Sequence, residues 1–68
     1  TNTKLRARVR RIVCQATGAS PEQAEAALAD ADGEAKVAIV ALLADLDAAS
    51  ARARLETAGG DIRKALVV

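Results

Sequence analysis

The chain has 68 residues, enough for one small domain, and a chain this short buries roughly 60% of its unfolded surface. Of its 35 apolar residues 18 are Ala, leaving 7 Leu, 6 Val, 3 Ile and 1 Cys to fill a core. With no aromatic residue there is no stacking platform for single-stranded nucleic acid, and with no His and one Cys neither the common zinc geometries nor Cys/His and Ser-His-Asp machinery can be assembled. No cofactor and no metal are expected. One thiol excludes an internal disulfide and suits a reducing, cytoplasmic setting. The longest apolar run, Val37 to Ala44, is far short of the ~20 residues of a membrane span, and no signal-peptide pattern opens the chain. The net charge of +1 hides an asymmetry: residues 1–18 hold five bases and no acid, and residues 19–68 hold five bases against nine acids. A basic first helix could attract phosphate-rich partners, but the balance favours a solvated face paired with acids elsewhere, and nucleic acid is not expected as a partner.

In chain order, Leu5, Val9, Ile12, Val13 and Ala16 fall on one stripe of a helix over about residues 3–17, stopped by Gly18. Cys14 is then expected about 180° from that stripe, beside Ala7, as a small apolar residue covered by another domain or subunit. Ser20, Pro21 and Gln23 give a helix start: an N-cap hydroxyl, a first-turn proline and a capping-box partner. The second helix presents Ala24, Ala27, Leu28 and Ala31, and Asp32-Gly33 forms a tight turn. From Glu34 to Ala44 the sequence is apolar on every side after Lys36, as a helix buried between others should be. Asp47 caps a fourth helix to about Thr57, Gly59-Gly60 ends it, and Asp61 caps a short fifth carrying Ile62, Ala65 and Leu66. The expected fold is all-α, a small bundle of about five helices.

A shift of 27 residues aligns the stretch starting at Ser20 with that starting at Asp47, with seven identities in 22 positions, among them Ala24/Ala51, Leu28/Leu55, Ala31/Ala58, Gly33/Gly60 and Ala38/Ala65. Both copies read cap, amphipathic helix, glycine turn, apolar helix. The architecture expected is a first helix plus two similar helical hairpins. The acids Glu22, Glu25, Asp30 and Asp32 read as a solvated helix face, and the glycines as helix ends, since no strand precedes them to make a phosphate cradle.

Three pieces of sequence carry a family resemblance: Asn2-x-Lys4-Leu5-x-x-Arg8, Ile12-Val13-x-x-Ala16-Thr17-Gly18, and Gly33-x-x-x-x-Ala38-Ile39 with the later Ala58-Gly59-Gly60. Across nearly the whole chain these resemble the C-terminal region of the N-acetylmuramic acid 6-phosphate etherases. Cys14, where relatives usually carry Met, and Asp32, where Gly-Gly is common, are the departures. The resemblance implies an upstream sugar-isomerase-type α/β domain that binds the sugar phosphate and supplies the catalytic groups. It further implies a homodimeric lyase that eliminates D-lactate in cell-wall recycling. On that reading this segment is a non-catalytic lid or interface domain whose first partner is the catalytic domain of its own chain. Asn2 and Lys4 fall where the resemblance would bring the lid near bound substrate, with the Lys4 ammonium as a point-charge phosphate partner. The middle of the chain is also similar to ubiquitin-associated (UBA-like) three-helix domains. That second resemblance implies a stand-alone interaction module with an apolar patch near Gly18, Ala19, Leu42 and Leu43, to which Cys14 is added as a candidate contact.

Overall fold

The computed structural model describes residues 2–66, with side chains described from Arg6 onward. It is all-α, in the order α1 (Asn2–Thr17), α2 (Pro21–Asp30), α3 (Ala35–Ala44), α4 (Ala48–Thr57) and α5 (Ile62–Leu66). Its radius of gyration of 11.1 Å is close to the ~11 Å of a chain this size folded around one core.

Each boundary is set by local chemistry. Gly18, at φ +75°, ends α1 and donates its N–H to the Cys14 carbonyl at 2.8 Å. At the start of α2 the Ser20 hydroxyl accepts from the Gln23 N–H at 3.1 Å while the Gln23 side chain accepts from the Ser20 N–H at 3.0 Å, the expected capping box with Pro21 in the first turn. Asp47 opens α4 by accepting the Ser50 N–H at 2.7 Å. Its carboxyl is held below the ordinary value chiefly by this backbone bond. At α5, Asp61 accepts from the Lys64 N–H at 3.2 Å.

The 27-residue repeat holds in the backbone bonds of the two glycine turns, though Asp61 caps its helix with its side chain and its mate Glu34 does not. The N–H of Gly33 reaches the Leu28 carbonyl at 2.8 Å, and 27 residues on the N–H of Gly60 reaches the Leu55 carbonyl at 2.7 Å. Glu34 to Ala31 (3.1 Å) is matched by Asp61 to Ala58 (3.4 Å), and Ala38 to Glu34 by Ala65 to Asp61, both 3.0 Å. In both turns two successive residues take positive φ, Asp32 and Gly33 at 55° and 81°, Gly59 and Gly60 at 69° and 85°. Asp32 therefore occupies a left-handed position that its repeat mate fills with glycine, a role short Asp side chains tolerate.

The α3 helix packs against all four others. Its four successive residues Val37, Ala38, Ile39 and Val40 are buried, as an apolar stretch without a polar face requires. Around them lie Val13, Ala24, Ala31, Ala51, Leu55 and Ala65. Half of this core is alanine, so helices approach closely and little volume remains for large side chains. At its far end α3 departs from full burial: Leu43 is 46% exposed, and Asp45 closes the helix in the left-handed conformation.

The orientation of α1 differs from the expected stripe. Val13 is fully buried and Val9 packs against the core, but Ile12 is 47% exposed and Ala16 is exposed. Cys14, expected on the opposite side, is half-buried against the core. The inward face is Arg10, Val13, Cys14 and Thr17, at i, i+3, i+4 and i+7. Arg10 lays its stem on this face and sends its guanidinium to Glu25 of α2 at 3.3 Å. The Thr17 hydroxyl bonds back to the Val13 carbonyl at 2.7 Å. A pattern that assigns every Arg and Thr to solvent turns the helix too far.

Candidate functional site

The expected substrate contacts Asn2 and Lys4 lie in the first turn of α1, and their side chains are outside the described residues. Of the expected interaction surface, Cys14 packs on the core from α1, Leu42 packs on it from α3, Gly18 and Leu43 are exposed, and Ala19 is half-buried beside the α1–α2 turn. The acids Glu22, Glu25, Asp30 and Asp32 are all exposed, as a solvated face requires.

Sequence reasoning did not single out the open cleft of about 540 Å³ between the start of α3 and the α4–α5 turn. Its apolar wall is Ala35, Val37 and Leu55, and its charges are Glu34, Lys36, Arg52 and Glu56. Three of these charges are already engaged in holding the two hairpins together. The Arg52 guanidinium donates from Nε (3.1 Å) and from an Nη (2.7 Å) to one Glu34 oxygen, and further to the Ala31 carbonyl at 3.3 Å. Hydrogen bonding and charge from Glu34 raise the Arg52 pKa above its ordinary value. The Lys36 ammonium donates to the Gly60 carbonyl at 3.2 Å. Arg52 thus ties α4 to the first glycine turn and Lys36 ties α3 to the second, so the charged rim reads as a clamp between repeats. No local pattern signals it, because each cation reaches a turn 18 to 24 residues away in sequence.

Among the described residues no group of three His, Cys, Asp or Glu could hold a metal, and no helix is long and apolar enough to cross a membrane. No buried side-chain polar atom lacks a partner among them.

No family model matches the chain. It is 62% identical over 66 residues, 97% of its own length, to the N-acetylmuramic acid 6-phosphate etherase of Mycolicibacterium smegmatis. It is 60% identical over 65 residues to the protein of that name from Rubrobacter xylanophilus, and 54% identical over 66 residues to that from an Enterobacter species. The chain spans about a fifth of the length of these curated relatives, 22% of the first, 21% of the second and 22% of the third. Over nearly all of its own length, this five-helix domain matches the C-terminal region of the N-acetylmuramic acid 6-phosphate etherases.

Proposed function

We propose that the chain is the non-catalytic C-terminal helical domain of an N-acetylmuramic acid 6-phosphate etherase. The parent enzyme would be a cytoplasmic lyase that removes D-lactate from the sugar phosphate during cell-wall recycling. The observation that carries this is identity above half along 97% of the chain to proteins of that name. The chemical inventory supports it: a domain without His, with one half-buried thiol and with exposed carboxylates lacks a matched acid and base. Catalysis then belongs to an upstream α/β domain, and the parent enzyme would be a homodimer.

Within this reading Lys4 is a substrate-phosphate contact and Asn2 a second contact, both in the first turn of α1. In the parent enzyme Lys4→Ala should raise KM for the sugar phosphate about tenfold with little change in kcat, the loss of one charge contact made equally in ground and transition states. Unchanged KM and kcat would remove Lys4 from the site. Deleting residues 1–68 from the parent should lower kcat/KM about a hundredfold or more, since an uncovered site admits water and loses its contacts. A truncated parent with undiminished kcat/KM would contradict the lid role.

A further inference from the structure

Four residues of α1, Arg8, Arg11, Ile12 and Gln15, repeat the i, i+3, i+4, i+7 spacing of the inward face from the opposite side of the helix, and all four are exposed. Three observations set this face apart. Ile12 is one of two large apolar residues left exposed among those described, the other being Leu43 at the end of α3. Arg6, Arg8 and Arg11 have no ion-pair partner among the described residues, whereas Arg10 and Arg52 both do. And α1, at 16 residues the longest helix, makes its main contacts with α2 and α3, leaving Arg8, Arg11, Ile12 and Gln15 on its outer side exposed.

We propose that this outer face of α1 docks on the polypeptide that precedes it in the parent chain, against a surface with an apolar seat for Ile12 and carboxylates for Arg8 and Arg11. The inference rests on the reading of the chain as an etherase C-terminal domain. Identification of the occupant follows from connectivity and charge. About four fifths of each relative lies outside the matched segment, and the match is to their C-terminal region, so on this reading the rest of the parent chain lies on the α1 side of the domain. Tethered at that helix, it meets the face at high effective concentration, and a modest contact suffices. Residues 1–18 hold five bases and no acid, and of the arginines of α1 only Arg10 is in an ion pair, so the charges of Arg8 and Arg11 are unpaired among the described residues. Arginine with a central apolar residue is the composition interfaces favour, and the arginines select an acidic counterpart.

The test uses the full-length parent with Cys14→Ala as background and one reporter thiol, from Ile12→Cys on the outer face of α1 or Ala53→Cys on the exposed face of α4. Both reporters replace exposed side chains, so the fold should tolerate them. Alkylation by iodoacetamide, normalised to each variant's rate in denaturant, should be about tenfold slower at position 12 than at 53. Adding Arg8→Glu and Arg11→Glu should bring position 12 to within about twofold of position 53, and about 1 M salt should move it the same way. Equal native rates at the two positions would overturn the proposal. So would a slow rate at position 12 that recovers on dilution, which would assign the face to a second copy. Failure of the underlying reading is separate: a parent whose upstream polypeptide lacks etherase activity would show it whatever the thiols report.

Discussion

The residue scale separates side chains that only their backbone position explains from those that packing explains. Gly33 and Gly60 sit at φ +81° and +85°, and nothing lies within 4 Å of a Cβ built on either. Their replacement by Ala is therefore a pure backbone penalty of about 1–2 kcal/mol each. Thermal melts should show two nearly equal losses, because the two turns carry the same bonds. A clearly unequal pair would mean that the repeat is a likeness of sequence without equivalent energetics. At Val13 the opposite logic holds: fully buried in the core, it should cost roughly 1–3 kcal/mol when cut to Ala. Ile12→Ala, one residue away on the outer face, should stay within about 0.5 kcal/mol in the isolated fold. A larger loss at Ile12 than at Val13 would restore the stripe expected from periodicity and contradict the observed rotation of α1.

For the elements, the two N-caps provide an internal comparison. Ser20 and Asp47 hold equivalent positions, 27 residues apart, but only Asp47 titrates. Its folded pKa lies below the unfolded reference of 3.8, so its contribution is present at neutral pH and fades as pH falls below about 4 through the lowered value. Asp47→Asn keeps an acceptor for the Ser50 N–H and removes the titration. The variant should match the parent sequence once the pH is below the lowered value, and show a shallower acid limb in denaturant melts followed by circular dichroism. A variant with an unchanged acid limb would show that other carboxylates govern it. The Arg52 clamp belongs to this scale too. Arg52→Lys keeps the charge but cannot reach Glu34 and the Ala31 carbonyl with one rigid fork, so it should lower the melting temperature nearly as much as Arg52→Ala. Full retention of stability by the Lys variant would reduce the clamp to simple charge pairing.

At the scale of the whole molecule, the caps, the glycine turns, the buried α3 and the doubled hairpin were legible because each is written in contiguous chemistry. Ser20 with Gln23 reports a helix start whatever surrounds it. The facing of α1 was not legible in the same way. In α1 the apolar residues run from Ile12 round to Cys14 on the other side, and which edge turns inward depends on Arg10 finding Glu25 and on Val13 fitting the core built around α3, both nonlocal facts. The clamp of Arg52 and Lys36 was hidden for the same reason, since its partners are 18 to 24 residues away. Function was legible only through the resemblance: the residues themselves report what the domain lacks, a matched acid and base.

The central claim is that this domain serves an etherase without performing its chemistry. Release of D-lactate from N-acetylmuramic acid 6-phosphate, followed for the full-length parent and for the 68-residue polypeptide at equal molarity, tests it most directly. The parent should turn over the substrate and the 68-residue polypeptide should release none. Turnover by the short polypeptide, or a parent inert toward this substrate, would contradict the account.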